Sequence, residues 1–114
     1  MATYANLFID QGADYSTAII LEDRNGDLLD LETLSFEGQI RRTHRSDTFY
    51  SFVISIADSD NGEIEIAVPD STTSQMRGGR YVYDIFAEDS VSGTRFKVLE
   101  GIAEVIPQVT KINE

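Results

Sequence analysis

The sequence predicts an all-β domain: an antiparallel, two-sheet sandwich of seven or eight strands, with no helix longer than two turns. Three observations predict it. Apolar residues recur with a period of two rather than 3.6. Turn-forming clusters return about every 8–12 residues, the spacing of a sandwich or barrel. The apolar positions are filled mostly by β-branched and aromatic side chains, which suit a pleated, half-buried surface.

Strands are expected near 5–10, 14–22, 34–43, 49–57, 63–69, 80–88 and 94–106. Leu34, Phe36 and Ile40 stand opposite Ser35, Glu37, Gln39 and Arg41. Tyr50, Phe52, Ile54 and Ile56 alternate with Ser51, Val53, Ser55 and Ala57. Ile64, Ile66 and Val68 alternate with Glu63, Glu65 and Ala67, and Tyr81, Tyr83 and Ile85 with Val82, Asp84 and Phe86. One face of each run should be core, and Ile54, Ile56, Ile64, Ile66, Tyr81, Tyr83 and Phe96 are the expected core residues. Asp23-Arg24-Asn25-Gly26-Asp27 and Asp58-Ser59-Asp60-Asn61-Gly62 each carry an Asn-Gly pair, which tolerates the positive φ of a tight hairpin. Ser90-Val91-Ser92-Gly93 links two further strands.

Ser71 to Arg77 breaks the alternation. Ser71, Thr72 or Thr73 could cap one helical or 3₁₀ turn there, ended by Gly78-Gly79. In the last strand Phe96 and Val98 share one face while Leu99, Ala103 and Val105 share the other. A β-bulge near Leu99-Glu100-Gly101, or burial of both faces, reconciles them. Pro107 ends the strand, and Lys111 to Glu114 reads as a frayed or partner-bound tail.

The 114 residues make a single domain, 1–114, and 41% are hydrophobic, enough for one core. There are no cysteines, so neither disulfides nor thiolate metal sites are available. Twenty acidic residues against nine basic ones leave a net charge of -11. Such a surface repels phosphate backbones and anionic lipid, so nucleic acid and membrane are not expected partners. Met1-Ala2-Thr3-Tyr4 offers no basic region, and no run approaches the ~20 apolar residues of a membrane helix, so neither a signal peptide nor a span is expected.

Nothing in the sequence assembles catalytic machinery, and no enzyme activity is expected. Nucleophilic hydrolysis needs a nucleophile, a base and a group that orients the base. The one histidine, His44, lies in Arg41-Arg42-Thr43-His44-Arg45 and reads as an exposed loop residue. Both Asp-rich turns fail as calcium loops: in the second, Gly62 comes one place early and Pro69 stands where the closing glutamate belongs. No cofactor or metal is expected. Two features are candidates for contact: the basic cluster Arg41, Arg42 and Arg45, which could pair with an acidic surface, and the aromatic run led by Phe49 and Tyr50, which could join a protein interface.

A set of short marks runs along the chain in order: Ile9-Asp10-Gln11-Gly12-Ala13, Asn25-Gly26-Asp27 with Leu29-Asp30-Leu31, Gln39-Ile40-Arg41, Gly79-Arg80-Tyr81-Val82-Tyr83-Asp84, Leu99-Glu100-Gly101, and Val105-Ile106-Pro107-Gln108-Val109-Thr110. Together they resemble small immunoglobulin-like proteins of tailed bacteriophages, especially those infecting cyanobacteria, similar to the N-terminal domain of baseplate upper proteins. Physical roles fit these marks. Gly12 and Gly26 suit tight turns, Gly79 lets the chain enter a strand, and Tyr81 can sit in a tyrosine corner, its ring in the core and its hydroxyl on backbone. The resemblance implies an immunoglobulin-like sandwich and a virion structural protein. That protein would be assembled in the host cytoplasm and present in several copies against other virion proteins of the tail, baseplate or neck. A capsid or neck decoration protein and a glycan-binding module for the host surface are the rival expectations. The last would want exposed aromatics beside carboxylates, with Tyr4, Tyr15 and Tyr50 as possible sources.

Overall fold

A computed structural model describes residues 3–22, 26–27 and 29–110. In chain order its elements are β1 (Thr3–Tyr4), β2 (Leu7–Asp10), β3 (Tyr15–Ile20), β4 (Leu34–Arg41), β5 (Phe49–Ser51), β6 (Val53–Asp58), β7 (Glu63–Val68), the helical turn α1 (Asp70–Thr73), β8 (Gly79–Asp89) and β9 (Arg95–Ile106). The strands form two sheets. The larger runs β1-β9-β8-β4-β5, with β2 also on β9, and the smaller runs β3-β7-β6. The protein is mostly β, and the described residues hold nine strands where seven or eight were expected.

The core lies between the sheets, where period two puts it. Ile64, Ile66 and Val68 face inward from β7, and Tyr81, Tyr83 and Ile85 from β8, all buried. Ile54 and Phe96 are only half-buried. Ile56 corrects the expectation outright: it keeps the inward parity, opposite Ile64 across the ladder, yet it is 43% exposed. It lies on an edge strand, and an edge residue has a neighbouring strand on one side only.

Three other features depart from the sequence reading. The expected strand 49–57 is two strands in different sheets: β5 pairs with β4 and β6 pairs with β7. The change of sheet falls at the buried Phe52, whose N–H still donates to the Gly38 carbonyl at 3.1 Å and whose ring meets Tyr83 edge-on at 5.6 Å. The pairing is not wholly antiparallel, because β1 and β2 lie parallel to β9. The bulge in β9 comes one residue earlier than expected. Ile85 opposes Leu99 while Phe86 opposes Lys97, so Val98 is the extra residue, and Val98 and Leu99 are both buried. The expected Asn25-Gly26 hairpin falls in the connection from β3 to β4, partly outside the described residues. On either side of it, Leu29 N–H donates to the Leu21 carbonyl at 2.9 Å. Asp23 to Asn25, like the ends 1–2 and 111–114 that include the expected tail, lies outside the described residues. The other two turns are hairpins as expected, β6 to β7 and β8 to β9.

The helical turn is not capped by a side chain. Pro69 occupies the N-cap position, with no side-chain cap bond. Thr73 is fully buried and ties the turn to the loop after β2: its hydroxyl donates to the Ala13 carbonyl at 2.8 Å and accepts from Gly12 N–H at 3.1 Å. Met76 follows it into the core. Tyr81 then closes the corner, its hydroxyl donating to the Arg77 carbonyl at 2.8 Å while the ring is buried.

The N-terminal strand is held by close approach. The Tyr83 hydroxyl donates to the Ala5 carbonyl, and Ala5 N–H donates to the Glu100 carbonyl at 2.9 Å. Gly101 makes room for this: a Cβ there would lie 2.8 Å from the Ala5 carbonyl carbon and 3.3 Å from the Tyr83 ring. Burial pushes the Tyr83 hydroxyl well above the ordinary tyrosine range, with Tyr15, Tyr4 and Glu100 adding to it. Tyr83 therefore stays a neutral donor.

Candidate interaction surfaces

Strand alternation separates the arginine cluster. Arg41, the last residue of β4, points to the outer face of the larger sheet. There its guanidinium lies 4.9 Å from the Phe49 ring centroid, donates to Gln39 Oε1 at 2.8 Å and also bonds the Ser46 carbonyl. Arg42, one residue on, turns the other way and lies over Tyr81 at 4.9 Å, with one Nη 3.5 Å from the Gly78 carbonyl. Gly79 gives it space, since φ there is +131° and a Cβ would meet the Arg42 guanidinium at 2.8 Å. Arg45 is exposed on the loop beyond. The three arginines thus do not form one free patch: two are stacked on the protein's own aromatic rings, where the cation meets the electron-rich face.

The aromatic pair divides in the same way. Phe49 is 45% exposed and covered on one side by Arg41. Tyr50 is half-buried, edge-on to Tyr81 at 6.4 Å, with its hydroxyl 3.4 Å from the Gln75 carbonyl. Tyr50 and Tyr81, with Arg42, Arg77, Asp47 and Gln75, line an open groove of about 590 Å³ at the end of the sandwich. Tyr15 is half-buried against the core and so is not an exposed aromatic, and its burial raises its ionisation above the ordinary range.

A second groove, of about 400 Å³, lies on the outer face of the larger sheet. One row of facing residues crosses four strands here: Tyr4 opposes Glu100, Glu100 opposes Asp84, and Asp84 opposes Gln39. Tyr4 is 63% exposed at the rim, and Arg41, His44 and Lys97 complete the wall. Asp84 and Glu100 are like charges directly across a ladder, an arrangement that disfavours the pair. Lys97 Nζ reaches Glu100 Oε1 at 3.4 Å, and this half-exposed pair is worth about 0–1 kcal/mol. Sequence reasoning placed Gln39, Arg41 and Asp84 opposite the core faces of their strands but had no means of aligning the row, because ladder register sets it. Among the described residues, no group of three or more His, Asp or Glu side chains is placed to hold a metal ion.

No protein-family model matches the chain. No curated protein matches it either. Among solved structures it is similar to the N-terminal domain of phage TP901-1 ORF48, with a TM-score of 0.55 and 17% identity over 89% of this chain and 84% of that one. It also overlaps the NK cell receptor Nkp44, a triggering partner in natural cytotoxicity, with a TM-score of 0.45 and 12% identity over 93% of this chain and 99% of that one. The first is a likeness of fold, and fold alone does not carry function. Neither bears on cyanobacterial hosts.

Proposed function

We propose that this chain is a bacteriophage virion structural protein, an immunoglobulin-like module that docks on the tail or baseplate and adapts other virion components such as fibres. The observation that carries the reading is the fold likeness to a domain of a phage protein across most of both chains, which agrees with the phage resemblance of the sequence marks. The immunoglobulin-like assignment rests on the two-sheet arrangement, the first strand laid parallel to the last, and the tyrosine corner at the start of β8. The module works by contact and does no chemistry of its own. Its partners are other virion proteins, and its charge of -11 keeps nucleic acid and anionic membrane away.

On this reading Arg45 and the side of Phe49 that Arg41 leaves open are what the candidate interface offers a partner, since Arg41 and Arg42 are stacked internally. Mass spectrometry of purified particles should find the chain in stoichiometric amount, and electron density of the intact particle should place it at the tail. Absence from purified particles would refute the proposal. A position on the capsid or neck would replace it with the decoration-protein reading. Arg45→Ser with Phe49→Ser should lower incorporation and leave the fold intact.

A second reading, glycan recognition, is favoured by the groove row. An exposed aromatic ring, Tyr4, stands beside planar hydrogen-bonding groups on Glu100, Asp84 and Gln39, which is the chemistry that packs and pins a sugar ring. Titration with host-surface oligosaccharides, repeated on Tyr4→Ala, decides this reading, and no heat with any of them removes it.

A further inference from the structure

We infer that the open edge of the smaller sheet, β6, pairs antiparallel with β6 of a second copy of this chain to form a two-fold dimer. Among the described residues β6 is bonded to one strand only, β7. Along the other side, alternate backbone N–H and C=O groups have no strand partner, and such an edge is a template for another strand. Edges that stay single usually carry a lysine, another charge or a proline. Residues 49–57 contain no charged residue, no proline and no glycine, in a chain that is 25% charged. Apolar side chains are open on both faces of this edge, Val53 at 59% on the outer face and Ile56 at 43% on the inner. A strand laid beside β6 would cover the flank of Ile56 that the sandwich leaves bare.

Charge selects the occupant. With a net charge of -11, two copies repel over most of their surface and can meet closely only along a neutral segment. An uncharged strand opposes its own copy with no like-charge pair. The other edges suit this less. β2 carries Asp10, β5 is three residues long with Phe49 covered by Arg41, and on β3 only Ile20 among the large side chains is exposed.

Parity sets the register. Opposed residues in an antiparallel ladder share a face, so the two-fold axis must pass through a residue pair. An axis at Ser55 sets Val53 against the partner's Ala57 on the outer face and Ile54 against the partner's Ile56 on the inner face. An axis at Ile54 would instead require residues 51 and 52, where the chain leaves this sheet. The irregularity between Ile56 and Asp58 ends the neutral stretch before the first acid. Glu65, across from Ser55 on β7, lies three strand spacings from its mate, about 14 Å, beyond the ~8 Å screening length at physiological salt.

Because the chain has no cysteine, one introduced thiol reports one contact. Ser55→Cys should form a disulfide-linked dimer under mild oxidation, since opposed strand residues lie at a separation a disulfide can bridge. Ser35→Cys, exposed on the larger sheet, should not. Light scattering should show the unmodified chain passing to dimer with rising concentration. Val53→Lys, or Ser55→Lys if the first does not fold, should weaken the dimer at least tenfold with an unchanged circular dichroism spectrum. A chain that stays monomeric at millimolar concentration overturns the inference. So does a dimer that survives the lysine, or cross-linking at Ser35→Cys as fast as at Ser55→Cys. The result does not depend on where in a particle the protein sits.

Discussion

Replacing Gly101 by alanine should be the most damaging single-methyl change to the N-terminal edge. The added Cβ would sit 2.8 Å from the Ala5 carbonyl carbon, where relaxed carbon contacts are about 3.5–4.0 Å. The Ala5 carbonyl oxygen lies closer still, so Ala5 must withdraw by roughly 1 Å or more. It cannot do so freely, because the same short segment receives the Tyr83 hydroxyl and gives its N–H to the Glu100 carbonyl. Overpacking of this kind costs about 1–3 kcal/mol, and weakening two hydrogen bonds adds roughly 0.5–1.5 kcal/mol each. The expected loss is about 2–6 kcal/mol. With a urea slope near 2 kcal/mol per molar, the midpoint should fall by about 1–3 M. Hydrogen exchange should localise the damage to the amides of β1 and β2. A loss below about 1 kcal/mol with β2 still protected would refute the account of how this strand is held.

Other outcomes follow from the same contacts. Ile66→Ala, fully buried on β7, should cost about 2–5 kcal/mol, whereas Ile56→Ala should cost less than about 1 kcal/mol in the monomer, and equal losses in urea titration would mean the edge is wrongly placed. Thr73→Val leaves the Gly12 N–H and Ala13 carbonyl without their partner and should cost about 1–3 kcal/mol, read as a drop in melting temperature. Tyr83 is held protonated in the fold above the pH, about 10, at which an unfolded tyrosine ionises. Above that pH the folded state binds more protons than the unfolded one. Its contribution is thus full below pH 10 and lost as pH rises, at up to about 1.4 kcal/mol per unit. Urea midpoints across this range should fall more gently in Tyr83→Phe, and parallel slopes would contradict the assignment.

The strands were legible because period two survives in single segments: β4, β7 and β8 could be read with their inward faces. What was not legible depends on neighbours far away in sequence. Nothing in Phe49-Tyr50-Ser51-Phe52-Val53 says that the chain changes sheets at its fourth residue, since both halves keep the same alternation. Ile56 has core parity and edge exposure, and only the sheet order distinguishes them. The basic cluster looked continuous because Arg41 and Arg42 are adjacent, but alternation sends adjacent residues to opposite faces. The row from Tyr4 to Gln39 could not be found at all, because it draws on four strands whose relative register is a tertiary property.

The parallel pairing of β2 with β9 bears on how the protein comes to be made. Leu7 opposes Ala103 and Ile9 opposes Val105, so a strand near the start of the chain finds its ladder only in the last strand described. At about 5–20 residues per second, translation separates the two by roughly 5–20 s. Throughout that interval Leu7 and Ile9 have no groove to enter, while the β6–β7 and β8–β9 hairpins close locally as they emerge. Strand β2 is thus placed only after β9 has been made, later than the hairpins between them. A nascent-chain protease pulse should therefore cut near Asn6 long after the central strands have become resistant.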